Sequence, residues 1–78
     1  MKVRVIDYKN GLKEYNKVTI IRITSRNLNL LIMEDHLPMI GEIQGSVEIL
    51  DGDDQINFNN VDGYFMHKNN TFEMMIKE

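Results

Sequence analysis

The fold is decided by residues 46–58, which read SVEILDGDDQINF. Apolar and polar residues alternate on both sides of the Asp51-Gly52 pair, with Val47 and Ile49 before it and Ile56 and Phe58 after it. A period of two sends alternate side chains to opposite faces of a strand, and Asp-Gly is typical of the turn between two strands. The stretch predicts a hairpin that buries one face, with Asp51 to Asp54 as its solvated tip.

The same alternation extends outward along the chain. Residues 72–77 place Phe72, Met74 and Ile76 on one face, and strands are predicted around Lys2–Asp7 and around Lys17–Thr24. In the latter, Ile20 and Ile21 are adjacent, which indicates a strand buried on both faces or a bulge. We predict further turns at Asn10-Gly11, Asp62-Gly63 and Asn69-Asn70, because Gly and Asn adopt positive φ at little steric cost.

Strands that bury one face each must cover that face with another layer. Two antiparallel sheets packed on a shared core satisfy the pattern best. We therefore predict an all-β fold, a small antiparallel β-sandwich or flattened barrel, formed as a single domain by residues 1–78.

Composition narrows the classes of function. The sequence has 78 residues, no Cys and a formal net charge of −3. Without Cys there are no disulfides and no thiolate metal ligands, so packing must hold the domain together. Lys and Arg are scattered among carboxylates, which argues against nucleic-acid binding. No apolar run approaches the roughly 20 residues of a membrane span, so we expect a cytoplasmic protein that does not insert into a membrane.

Neither histidine lies in a catalytic or metal-binding pattern. His36 follows Glu34-Asp35, but one oxygen-rich turn with a single imidazole lacks the ligand number of a recognised site. The favoured interpretation is an Asp and a His that fix a turn before Pro38. We expect no enzyme activity, no metal and no cofactor.

Methionine is frequent, with six residues. Its flexible thioether adapts to irregular surfaces, and core filling explains most of these side chains. Met75 falls on the polar side of its strand and Met39 follows the Pro38 turn. Together with Tyr64, these side chains are candidates for an exposed contact patch.

Residues 30–45 read LLIMEDHLPMIGEIQG. They resemble the signature of the epsilon subunit of rotary ATP synthases, Leu-Gly-Ile-Leu-Pro-Gly-His-x-Pro-Leu-Leu followed by a glycine before the next strand. Leu30, Ile32, His36, Pro38 and Gly45 stand at the matching places. The likeness covers nearly the whole chain and includes residues 63–74, which resemble the family's final hairpin.

The resemblance implies the epsilon amino-terminal β-sandwich, which lies in the central stalk between the gamma subunit and the ring of c subunits. It implies that the turn around Asn29 faces the c ring and that His36 and Gly41 lie toward gamma. The family's carboxyl-terminal helical pair is expected to be missing after Glu78. The predicted partner interface consists of Asn29, Glu34, Asp35, His36, Pro38, Met39 and Gly41.

The sequence departs from the family pattern at several places, and Glu34 replaces the proline of the loop. Leu28, Leu31 and Asp35 stand where the family usually has glycine, so we expect a changed backbone there or the loss of a close neighbour. His67 occupies a position that is normally apolar in the family, and we predict a partly buried, hydrogen-bonded histidine.

Two hypotheses for the function stay open at this point. The first is a stalk subunit of a proton-translocating ATP synthase. The second is a diverged epsilon-like adaptor, for example of a mobile element, that keeps the sandwich and binds a different protein partner. Gene neighbourhood would separate them.

Overall fold

The computed structural model describes residues 1–26 and 28–77. Within them the chain forms seven strands and no helix. The strands are β1 (Lys2–Asp7), β2 (Gly11–Tyr15), β3 (Val18–Ser25), β4 (Leu28–Met33), β5 (Met39–Asp51), β6 (Asp54–Lys68) and β7 (Thr71–Lys77). None of the described residues forms a helix that is long and apolar enough to cross a membrane.

All seven strands belong to one sheet, in the order β2-β1-β7-β6-β5-β3-β4. The predicted all-β class is confirmed, and the fold is sandwich-like. Two details differ from the prediction. The layers belong to one continuous sheet instead of two, and β1 pairs with β7 in parallel, whereas the other neighbouring strands are antiparallel.

The long hairpin of β5 and β6 joins the two layers. β3 pairs with residues 45–51 of β5, whereas β7 pairs with residues 62–68 of β6. Between these regions the register passes from Gly45 opposite Val61 to Val47 opposite Phe58, so Asn59 and Asn60 oppose Ser46 alone. Such a bulge bends a strand and increases its twist. The sheet therefore folds over at this point.

The fold-over defines two layers. The four-stranded layer contains β4, β3, the second half of β5 and the first half of β6. The five-stranded layer contains β2, β1, β7, the second half of β6 and the first half of β5. Inward side chains of both layers form a single hydrophobic cluster, to which the first contributes Ile21, Ile23, Ile32 and Ile49 and the second contributes Val3, Val5, Phe65 and Phe72.

Two glycines permit close approach of backbones near the fold-over. A Cβ on Gly45 would overlap the carbonyl oxygen of Thr24, and one on Gly63 would overlap the carbonyl oxygen of Met75. Gly63 lies inside β6, so the predicted turn at Asp62-Gly63 is wrong. Glycine serves there to let two strands meet, not to reverse the chain.

The other predicted turns are confirmed. Gly11 and Gly52 have φ of 78° and 63°, and Asn69 and Asn70 have φ of 53° and 55°. These values lie in the left-handed region that Gly and Asn tolerate best. The adjacent isoleucines of β3 follow a register shift between Val18 and Ile20, which confirms the bulge alternative.

Candidate protein-docking loop

The candidate site is built on the docking loop, residues 34–38, which connects β4 to β5. The backbone N–H of His36 donates to the carbonyl of Met33 over 3.2 Å, which closes the turn. Asp35 has φ of 63°, a conformation that Asp accepts more readily than most residues. Asp35 therefore keeps a left-handed backbone conformation at a position where the epsilon signature has glycine. Leu28 and Leu31, which also replace glycines of that signature, lie in strand β4.

A pair of hydrogen bonds ties the docking loop to the β6–β7 hairpin. The backbone N–H of Asp35 donates to Asn70 Oδ1 over 2.6 Å, and Asn70 Nδ2 donates to Asp35 Oδ1 over 3.1 Å. The carbonyl of Asn70 also accepts a bond from the backbone N–H of Lys2 over 3.0 Å. Residues that are 35 apart in sequence therefore hold the loop in one position. The predicted turn-fixing role of Asp35 follows from these bonds.

His36 is a half-buried residue of the docking loop and contacts the core. Its Nδ1 is 2.9 Å from the carbonyl oxygen of Leu37. Because a carbonyl only accepts, this nitrogen carries the proton. The other side of the ring meets His67 edge-on, with centroids 5.9 Å apart and an interplanar angle of 80°. The histidine thus anchors the loop both to its own backbone and to the five-stranded layer.

His67 is fully buried, and neither ring nitrogen has a hydrogen-bond partner among the described residues. The prediction of a partly buried, hydrogen-bonded histidine is therefore wrong. Its ring lies between His36 and Phe72. Burial lowers the pKa of the His67 imidazole below its ordinary value, and the neighbouring His36 lowers it further. The low pKa favours a neutral imidazole in this place.

The structure brings together some of the predicted interface residues and separates others. Glu34, Asp35, His36 and Pro38 share the docking loop at one end of β4. Asn29 lies at the opposite end of that strand, where it pairs with Thr24. The structure therefore does not bring Asn29 together with the docking loop.

Two predicted interface residues face inward on β5. Met39 is half-buried and packs against the hydrophobic cluster. Gly41 lies beneath the ring of Phe65, where a Cβ would come within 2.8 Å of a ring carbon. Phe65 in turn stacks on Phe72, with centroids 5.6 Å apart. The absence of a side chain at Gly41 therefore serves the packing of these rings.

Sequence reasoning missed the most exposed apolar side chains of this region. Leu37 is 78% exposed and Ile40 is 76% exposed. A shallow cavity of about 480 Å³ lies between the docking loop and Asn69 and Asn70. A leucine between His36 and Pro38 was visible in the sequence, but its exposure depends on which way the fixed loop turns.

Among residues 1–26 and 28–77, no group of three or more His, Cys, Asp or Glu side chains is placed to hold a metal ion. No protein-family model matches the chain, and no curated protein matches it. The resemblance to the epsilon family therefore stays a prediction that rests on the residues themselves.

Proposed function

We propose that the chain is a non-catalytic protein-interaction domain that resembles the central-stalk epsilon subunit of a proton-translocating ATP synthase. In this proposal the docking loop contacts the gamma subunit and the turn around Asn29 contacts the c ring. The domain is cytoplasmic and peripheral to the membrane through that complex. The all-β fold and the matched His36-x-Pro38 motif support the proposal.

The exposed side chain of Leu37 on a fixed loop carries the proposal. Leu37 lies between His36, which contacts the buried His67, and Pro38, whose φ is restricted by its ring. The Asp35 and Asn70 hydrogen bonds fix the same loop from the other side. A protruding apolar side chain on an ordered base loses little conformational entropy when it enters a pocket of a partner. Burial of the Leu37 side chain in such a pocket contributes about 1.5–3 kcal/mol to the binding free energy.

A second candidate is favoured by the outer edge of the four-stranded layer. β4 is the last strand of the sheet, and its Leu31 and Met33 are 45% and 50% exposed. Leu31 stands where the epsilon signature has glycine. An apolar, unpaired edge is suited to binding an extended segment of another protein. An epsilon-like adaptor with a different partner would use this edge.

The test is binding of the purified chain to the gamma subunit and to the c ring of the same organism, measured by calorimetry. Leu37→Asp should raise the Kd for gamma at least about tenfold, because a charge replaces a buried apolar contact. Leu31→Asp is the matched control, since it introduces the same charge at an exposed leucine of another strand. It should leave the Kd for gamma unchanged.

The outcomes separate the two candidates. If neither gamma nor the c ring binds the unmodified chain at micromolar concentration, the stalk proposal fails. If binding to gamma occurs and Leu31→Asp weakens it while Leu37→Asp does not, gamma docks on the β4 edge and Leu37 is not the contact.

A further inference from the structure

The outward face of the five-stranded layer carries an apolar row that the docking loop does not use. Leu12, Ile6, Met75 and Tyr64 are aligned across β2, β1, β7 and β6 by the strand register. Leu12, Met75 and Tyr64 are 49%, 60% and 63% exposed, and Ile6 is half-buried. We name these four residues the apolar stripe. The exposure of Met75 and Tyr64 agrees with their selection from the sequence as contact candidates.

The residues on either side of the apolar stripe have a specific arrangement of charge. Two residues to one side, Arg4 on β1 lies beside Glu73 on β7, with 3.9 Å between their charged groups. Two residues to the other side, Tyr8 follows β1 and Lys77 ends β7. The backbone N–H of Tyr8 donates to the carbonyl of Ile76 over 3.2 Å, and the Lys77 ammonium lies 6.0 Å from the Tyr8 ring centroid.

We propose that this face binds the same face of a second copy of the chain, about a two-fold axis that runs along the apolar stripe. Such an axis superimposes each stripe residue on its own counterpart. It also exchanges positions on the two sides of the stripe within each strand. Glu73 then faces Lys77 of the second copy, and Arg4 faces the Tyr8 ring of the second copy.

The charge pattern is self-complementary under this symmetry. Each dimer gains two Glu73 to Lys77 ion pairs and two contacts of Arg4 with an aromatic ring, because a two-fold interface uses every contact twice. A depression of about 510 Å³ lies between the stripe and the row of Tyr8 and Lys77. It receives Glu73 of the second copy beside Lys77 and Met66 of the second copy beside Asp62, which also lines the depression. Glu42 meets its counterpart at the rim, where water screens like charges.

The available area indicates the size class of the interface. Five strands spaced by about 4.8 Å, each near 20 Å long, cover on the order of 480 Å² of flat surface per copy. The two faces together therefore bury on the order of 1,000 Å², which lies at the lower limit for a specific interface. A weak, concentration-dependent dimer is expected.

Analytical ultracentrifugation of the chain from micromolar to millimolar concentration tests the proposal. The mass should rise from 9.2 kDa toward twice that value. Lys77→Glu and Glu73→Lys should each weaken association about tenfold, since each change removes two ion pairs and creates two repulsive ones. The double variant should restore association. Glu34→Lys, a charge reversal on the docking loop, is the control and should leave the dimer unchanged.

Three results would overturn self-association through this face. They are a monomer at every concentration, a double variant as weak as the single ones, and a Glu34→Lys change as large as the Glu73→Lys change. If the chain stays monomeric and Met75→Glu abolishes its binding to gamma, the apolar stripe binds another protein instead of a second copy. Melting curves of all variants are needed as a check that each one is folded. Leu37 lies outside the stripe, so the stalk proposal succeeds or fails separately.

Discussion

The two layers of the sheet differ in what they bury. Every buried side chain that the described part of the four-stranded layer contributes is apolar, with Ile21, Ile23 and Ile49 at its centre. The five-stranded layer buries two polar side chains, Asp7 and His67, beside its own apolar residues. Both layers alternate inward and outward residues, but among the described residues only the five-stranded layer places polar side chains at buried inward positions.

The two buried polar side chains of the five-stranded layer differ in their hydrogen bonding. Asp7 accepts hydrogen bonds from the backbone N–H of Lys9 over 2.8 Å and from Asn10 Nδ2 over 3.0 Å, which fixes the turn between β1 and β2. The ring nitrogens of His67 accept and donate none among the described residues. One polar group thus stabilises a turn, whereas the other has no hydrogen bond among the described residues to offset the cost of its burial.

The largest effect is expected where the layers join. Gly63→Ala places a methyl group on the backbone of β7, and neither strand can move without breaking the ladder. We expect a loss of at least about 4 kcal/mol, enough to unfold a small domain. Circular dichroism would show the loss of folded structure. Gly52→Ala is the control, because its Cβ has open space and meets only the strain of positive φ, about 1 kcal/mol. Equal losses in both variants would contradict the close approach.

A smaller loss is expected in the apolar four-stranded layer. Ile49→Ala removes a fully buried side chain and leaves a cavity, at a cost of about 2–5 kcal/mol. Urea unfolding measures the change in free energy. Asn57→Ala, on the exposed face of the paired strand, should change stability by less than about 0.5 kcal/mol. If Ile49→Ala left the midpoint unchanged, the inward face of β5 would be assigned to the wrong residues.

The sequence predicted which side chains of each strand are buried, because that alternation is visible within a single strand. Alternation identified Val47, Ile49 and Phe58 as buried, and it separated exposed Met75 from buried Met74. It did not predict the fold-over, because a bulge is a mismatch between two strands and neither strand shows it alone. The parallel pairing of β1 with β7 joins the two ends of the chain, and no local pattern indicates such a contact.

Only part of the candidate site was predictable, because a local motif reveals a loop or a turn but not the contacts between them. The His36-x-Pro38 motif located the docking loop, and Asn69-Asn70 was identified as a turn. That Asn70 fixes Asp35 was not predictable, because it depends on how the docking loop and the β6–β7 turn meet across the fold. The burial of His67 was underestimated, since a polar residue type at an inward position does not reveal whether a partner is present.

The smallest effect, and the sharpest test of the difference between the layers, is the pH dependence of His67. Its pKa is lowered in the folded chain, so below about pH 6.5 the unfolded chain binds a proton that the folded chain does not. Stability should therefore fall as the pH drops through about 6.5 and should stop falling below the folded-state pKa. For one proton the slope is at most about 1.4 kcal/mol per pH unit.

Two variants assign this slope, measured by urea unfolding between neutral and mildly acidic pH. His67→Leu should remove it and should be neutral or stabilising near pH 7, because an apolar side chain replaces two unpartnered nitrogens. His36→Gln should keep most of it, since burial is the main cause of the lowered pKa and the charge of His36 the lesser one. A slope that persists in His67→Leu would mean that a group other than His67 binds the proton on unfolding.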